Sequence, residues 1–482
     1  MIHINKSMRA SALGAMLLLG VTGCNVLVQD PPTALTPSDA FANADRISKS
    51  AIGMYDFLQN AEFLGGRALI YSDVRSDDTN SSPYFSTIVN TAATLPNDAY
   101  ATNGWTGGYR SLYGVNYFLQ QIALNTGKTT PELEAQYIGE AEYIRALVYF
   151  NLVNLYAQPY NFTSDASHLG VPIQLVAPDA VSAFDPSQNL SRSTVKQVYD
   201  QIEKDLLDAL TKLPETYTTD FDKTGRVTKD AARTLLSRMY LYKADYVNAA
   251  KYSGDVITGN RHALNDSPVT PFSATSYQTS ESIFSVAMNS SDNPNTNNAL
   301  GQHYGGKNRA DITVTPYARI DTTQFRSKDR RRTLLITPAA YPTAAALVYT
   351  LKYNNASFDY VPIHRYSEVL LNRAEALAQT SAGVSAEAIT LLNTVRRRSL
   401  PNIPAYPSVA AADFAISGKQ GLIDAILFER RLELAFEGHR YYDLLRYKRN
   451  PGRINYGDDR VVLPIPLVDI QQNPNLVQNK GY

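Results

Sequence analysis

Several things are scarce in this chain, and each shortage removes a class of function. Its 482 residues include one cysteine, Cys24, and one tryptophan, Trp105. A lone cysteine cannot close an intramolecular disulfide, so packing must hold the fold. It cannot supply a paired-cysteine zinc site either, and no HExxH, CxxC or glycine-rich phosphate loop occurs. Neither a catalytic metal nor a cofactor is expected. Net charge is absent as well, with 45 basic residues against 45 acidic ones. A near-neutral surface has no long-range field to gather polyphosphate, which argues against a nucleic-acid partner. No apolar run is long enough to span a bilayer as a helix.

What is present begins at the N-terminus. Lys6 and Arg9 precede an apolar stretch from Ala10 to Val21, the length of a secretory signal core. The stretch ends in Val21-Thr22-Gly23-Cys24, which resembles a bacterial lipobox, with the only thiol of the chain where an acyl group would be attached. Residues 1–23 are read as a lipoprotein signal peptide and Cys24 as the lipidation site, so a lipid alone would hold the chain to a membrane. Removing the signal peptide takes away Lys6 and Arg9 and no acid, leaving a net charge of −2. Residues 24–37, non-periodic and proline-containing, read as a tether.

The body, 38–482, shows helical stripes in pairs. Leu133, Tyr137, Ala141, Ile144, Val148, Leu152 and Leu155 are spaced by three and four, behind Thr130 as N-cap and Pro131 as first helical residue. A second stripe runs from Ser193 to Pro214, and a third from Ala231 to Tyr242, then Tyr246 to Ile257 after a short break. Tyr366, Val369, Leu370, Arg373, Ala376 and Leu377 form another face, and Ser385 caps its partner. The expected fold is mainly α: tetratricopeptide-like helix pairs stacked into a scaffold, with long irregular loops carrying the binding face. An N-terminal part, 38–259, and a C-terminal part, 362–482, flank a loop-rich insert, 260–361, with only short strand-like pieces such as Ser282 to Ala287.

Two loop segments carry chemistry suited to sugars, whose C–H faces stack on aromatic rings and whose hydroxyls bind carboxylates, amides and guanidinium groups. In the first, Tyr71 to Trp105, the expected ligand contacts are Asp77, Asp78, Asn80, Tyr84 and Tyr100. In the second they are Tyr304, Arg309 and Tyr341, with His303 and Tyr317 nearby. Trp105 is expected to pack at a helix start, and Arg330, Arg331 and Arg332 to be a solvated or structural run. Glu429, Glu433 and Glu437 recur every four residues, and can be read in two ways. Paired carboxyls could hydrolyse a glycoside. The favoured reading is a helix-to-helix ion network neutralised by Arg396, Arg397 and Arg398, with no catalytic residue.

Several segments resemble one family. Gly139 to Pro159 (GEAEYIRALVYFNLVNLYAQP), Leu190 to Leu206, Thr228 to Tyr242, Phe428 to Arg446 (FERRLELAFEGHRYYDLLR) and the ending Leu463-Pro464-Ile465-Pro466 through Asn479 are similar, in order, to the SusD/RagB outer-membrane nutrient-binding lipoproteins. The resemblance implies a palmitate-bearing lipoprotein on the outer face of the outer membrane. It would capture an oligosaccharide, or less often a peptide, and deliver it to a TonB-dependent β-barrel transporter. With one tryptophan, an aromatic platform here would be built from Tyr and Phe. A secreted glycoside hydrolase on a helical scaffold and a passive helix-repeat interaction scaffold are the alternatives.

Overall fold

Helices begin where the sequence places a cap before an apolar stripe. The Thr130 hydroxyl accepts from the Leu133 amide at 3.3 Å, and α4, Pro131–Tyr156, follows with its proline in the first turn. Thr194 and Gln197 form a reciprocal capping box at the head of α5, Val195–Lys212. Ser385 caps α9, Ala386–Ser399. The computed structural model describes residues 37–482 except 82, 90, 180, 274–276, 295–296, 338–346, 354 and 407–415. The signal peptide, Cys24, the tether as far as residue 36 and Tyr341 therefore lie outside the described residues.

The remaining long helices are α1 (Ala44–Asp56), α2 (Arg67–Asp73), α3 (Ala99–Leu124), α6 (Lys229–Lys243), α7 (Tyr246–Gly259), α8 (Tyr366–Thr380), α10 (Lys419–Glu433) and α11 (Arg440–Arg446). From α3 to α9 each packs on the next, and α10 packs on both α8 and α9. The series continues across the insert, because α7 lies against α8 although about a hundred residues separate them. The fold is thus mainly α, a serial stack of helix pairs as expected. None of the helices among the described residues is long and apolar enough to cross a membrane.

The insert leaves the stack on a stem. Strand β2, Ser282–Val286, pairs antiparallel with β6, Val361–Arg365, so the loop between them is closed at its base. Inside it, β3 (Ile312–Thr313) pairs with β1 (Asn80–Ser81), and β4 (Leu335–Ile336) with β5 (Tyr349–Thr350). Ile312, Val314, Tyr317, Phe325 and Tyr353 of the insert are buried in the same core as the helices. A smaller core lies between α8, α9 and α10, around Leu371, Leu392 and Ile426.

Helix α3 corrects the reading of its region. Tyr100 and Asn103, expected in a loop, lie in its first two turns, where the Asp98 carboxylate accepts from the Tyr100 and Ala101 amides. Trp105 is buried near the helix start, its ring centroid 4.7 Å from that of Tyr109 and 5.1 Å from that of Tyr156. Glycines hide this helix from pattern analysis. A Cβ at Gly108 would stand 2.6 Å from the Leu152 side chain, so the absence of a side chain lets α3 and α4 approach closely.

Candidate ligand-binding face

The loop after β1 and the insert meet at a cluster of rings. Tyr84, half-buried, stands edge-on to Phe85 (4.9 Å between centroids) and to Tyr100 (5.6 Å), and lies 5.4 Å from the His303 ring. The exposed Arg309 guanidinium sits over the Tyr84 ring at 4.2 Å, and that of Arg67 over the Tyr100 ring at 5.0 Å. Polar partners fix the arrangement. Arg67 Nη2 donates to the Tyr84 hydroxyl at 2.9 Å and pairs with Glu62, while Asn298 Nδ2 donates to Glu62 Oε1 at 2.9 Å. The Tyr100 hydroxyl donates to the Tyr84 carbonyl at 2.7 Å.

His303 and Arg309 share Asp311 Oδ2, each at 2.9 Å. Burial lowers the His303 pKa, so the ring is neutral at pH 7 and its Nδ1–H donates to the carboxylate. Burial pushes the Asp311 carboxyl up, but the hydrogen bond from His303 and the charge and hydrogen bond of Arg309 outweigh it and hold it below the ordinary range. Nε2 of His303 is therefore a buried acceptor with no hydrogen-bond partner among the described residues. Nη2 of Arg309 also makes no hydrogen bond there. The face thus presents a ring and a guanidinium plane side by side, the combination that grips a polyhydroxylated ring, with the His303 acceptor buried behind them.

The structure brings together Tyr84, Tyr100 and Arg309 and sets the other expected contacts apart. Tyr304 is 0% exposed, its hydroxyl donating to Asp73 Oδ2 at 2.8 Å and its ring packed between Tyr353 and Phe436, so it cannot stack on a ligand. Tyr317 is likewise buried, its hydroxyl donating to the Leu432 carbonyl at 3.0 Å. Asp78 is buried against Arg431, with Oδ1 accepting at 2.8 and 2.5 Å, and Asp77 takes both Arg440 nitrogens at 2.8 Å. These carboxylates latch the loop to the C-terminal part rather than offering themselves to hydroxyls. Asn80 is exposed on β1, opposite Thr313. Arg67, Glu62, Asn298 and Asp311 were not singled out in the sequence; only Asn298, beside an Asn-rich stretch, carried any signal.

A second, buried cluster gathers charged side chains of the insert and the C-terminal part. Glu433 pairs with Arg398 and Arg365, Glu437 with Arg365 at 2.7 Å and Lys352 at 2.6 Å, and Glu429 with Arg331 at 2.6 Å. Glu281 bridges Arg365 and Arg398, and Asp329 holds Arg331 at 2.7 Å. The ion network stands, but its cations differ from those expected. Of the three arginines on α9, Arg398 pairs directly with the cluster; Arg396 lies over the Tyr406 ring and acts on Glu429 through its charge, and Arg397 is exposed. Nor do the three glutamates share one helix. Helix α10 ends at Glu433, and a turn through Phe436 (φ 65°) and Gly438 (φ 79°) carries Glu437 back to the same cations. All three carboxylates are buried and paired, so none can meet a substrate.

Asp73 gives a test of this interior. Burial pushes its carboxyl up to about 8, against partial relief from the Tyr304 and Gly438 hydrogen bonds. A carboxyl raised in the folded state contributes stability that is full below its unfolded value, near 3.8, and lost as pH rises through about 8. Asp73→Asn removes that dependence. Its melting temperature relative to the unsubstituted chain is expected to rise between pH 5 and pH 9 in scanning calorimetry, and a difference independent of pH would show that Asp73 is ionised throughout.

A serial helix-pair scaffold that holds up a ring-and-guanidinium face defines a class of binding protein, and comparison gives the family. Residues 29–241 match a family model described as "Starch-binding associating with outer membrane", and residues 349–460 match that of the SusD family. The chain belongs to the SusD/RagB family. It is similar along its length to the SusD-like proteins P2 and P38 of Formosa agariphila, at 26% and 25% identity. Each match covers 97% of this chain and 98% and 97% of the respective relative. Among solved structures, a SusD superfamily protein from Bacteroides fragilis superposes with a TM-score of 0.77 at 26% identity, over 91% of this chain and all of that one. A laminarin-binding SusD-like protein shares the fold, with a TM-score of 0.71 at 22% identity over 91% of this chain and all of that one.

Proposed function

We propose that this chain is a capture protein that binds an oligosaccharide on the Tyr84–Tyr100–Arg309 face. It would be anchored through Cys24 on the outer face of the outer membrane and pass its ligand to a TonB-dependent β-barrel transporter. The observation that carries the reading is the half-buried Tyr84 ring under the Arg309 guanidinium, whose Nη2 makes no hydrogen bond among the described residues, framed by Tyr100 and His303. The family's association with the outer membrane supports the location. Capture followed by release requires moderate affinity, with Kd on the order of micromolar to millimolar, which shallow stacking and a few hydrogen bonds supply. A hydrolytic role has little support, because the carboxylate triad that would perform it is sealed in the ion network.

The test is calorimetric titration of the mature chain in detergent with laminari-, malto- and xylo-oligosaccharides and with peptides. A bound glycan should lose about 1–3 kcal/mol of affinity on Tyr84→Ala, by analogy with aromatic stacking on bases. Chromatography of the glycan after incubation should show it unchanged. Binding that survives Tyr84→Ala and Arg309→Ala undiminished would remove the site from this face, and a peptide binding where no glycan does would replace the ligand class.

A further inference from the structure

Beside the ring cluster the surface is hollowed. A cavity of about 400 Å³ is lined by Asn60, Glu62, Arg110, Asn293 and Asn298, among others. Glu62 and Asn298 are the same residues that position Arg67 and Tyr84, so this cavity adjoins the ring cluster through them. Its wall at Asp56 and Gln59 is shared with a second cavity of about 290 Å³. Gln59 stands between the two, its Nε2 donating to the Ala287 carbonyl at 2.9 Å. Each hollow is close to or above the lower bound, about 300 Å³, of cavities that hold small molecules.

The two differ in chemistry. The first is lined by the amides of Gln59, Asn60, Asn293 and Asn298 and the carboxyls of Asp56 and Glu62, and the exposed Arg110 guanidinium makes no hydrogen bond or ion pair among the described residues. The second is mainly apolar, with Ile52, Phe221 and Met288 in its wall, and Ile52 and Phe221 are left 53% and 49% exposed. Phe221, on a short helix of the N-terminal part, has no ring partner among the described residues, and its exposed half is available for stacking. Burial, with Asp292 nearby, pushes the Asp56 carboxyl between the cavities up from its ordinary value.

We propose that the ring cluster is one end of an extended groove, in which the amide-and-Arg110 cavity and the Phe221 cavity are successive subsites for the same glycan chain, so that the protein selects an oligosaccharide of several units over a mono- or disaccharide. The inference rests on the ring cluster being a sugar site and goes beyond it to the length of the ligand. A two-unit sugar covers the Tyr84 face and little more. A longer chain lays hydroxyls against Arg110 and the amides and a C–H face on Phe221.

The experiment uses the full chain in detergent and laminari-, malto- and xylo-oligosaccharides, each of two and six units. In the series that binds, the six-unit chain is expected to bind at least tenfold more tightly than the two-unit one. Phe221→Ala and Arg110→Ala should together abolish most of that gain while changing two-unit binding less than twofold, and Tyr84→Ala should weaken both lengths. Both substituted side chains are surface groups, and an unchanged melting temperature verifies folding. Equal affinity at both lengths, or a gain that persists in the double variant, would overturn the groove and leave the ring cluster standing. Affinity lost with Phe221→Ala and untouched by Tyr84→Ala would overturn both, since the cavity would then be a separate site. Failure of every series to bind would also overturn both.

Discussion

Glu433→Gln is expected to lower the stability of the folded chain by about 3–5 kcal/mol, the cost of breaking a buried ion pair from one side. Glu433 is almost fully buried and faces Arg398, Arg365 and Arg331 at once, so removing its charge strands guanidinium groups that cannot reach water. Burial pushes this carboxyl up, but Arg398, Arg365 and Arg331 overcome it and hold it well below the ordinary carboxylate range. A group depressed in this way contributes stability above its unfolded pKa that is lost as pH falls through the folded value. Guanidinium chloride unfolding should therefore show the full deficit of the variant near pH 7 and a smaller one in strong acid. Glycan affinity, measured where both proteins are folded, should agree within twofold. A variant of equal stability would mean that the network is not the support it looks to be.

The network's composition explains why it tolerates so much buried charge. Among the described residues five carboxylates, of Glu281, Asp329, Glu429, Glu433 and Glu437, are ion-paired with four cations, of Arg331, Lys352, Arg365 and Arg398. Burial pushes the Glu429 carboxyl up, against the charges of Arg331 and Arg396. The partners come from α9, α10, the β2 and β6 stem and the insert, so the segment from Glu429 to Arg446 acts as a hub. The same segment takes Asp77 and Asp78 through Arg440 and Arg431, and the Gly438 amide donates to Asp73 at 3.2 Å. Both loops that build the ring cluster are thereby tied to one piece of chain. Gly438 is needed there because its φ of 79° is costly for other residues and a Cβ would lie 3.2 Å from Leu69.

How far the sequence could be read follows from where partners lie. Helices α4 to α9 were legible because their apolar stripes have the helical period and most begin at a capping residue, as at Thr130 and Ser385. Helix α3 was not, because Gly104, Gly107 and Gly108 stand where a stripe would show apolar side chains. In the loops, composition picked out Tyr84, Tyr100 and Arg309 together with Tyr304, Tyr317 and Asp78, and could not separate them. The separation depends on whether a polar group is already committed, and the partners are remote. Asp78 finds Arg431 at a distance of 353 residues in sequence, and Tyr304 finds Asp73 at 231. Periodicity also misled at Glu437, since nothing in a four-residue spacing reveals that the chain turns at Phe436 with a positive φ.

Cys24→Ser is expected to abolish the attachment of the chain to the outer membrane, the largest change that one side-chain atom can make here. Each buried acyl CH₂ contributes about 0.8 kcal/mol of membrane affinity, and stable anchoring needs two chains or a second signal. Among the described residues no helix is long and apolar enough to substitute for them. In cells lacking the transporter, the serine form should incorporate no labelled palmitate. It should appear as an unprocessed precursor or in the soluble fraction, while the unsubstituted chain stays with the outer membrane. Omitting the transporter matters, because docking on a β-barrel would retain the protein without any lipid. If the serine form still fractionates wholly with the outer membrane under those conditions, another part of the chain binds lipid and Cys24 is not the anchor. If release occurs only when the transporter is absent, protein contact and lipid each suffice for retention, which is the behaviour of a capture protein seated on its channel.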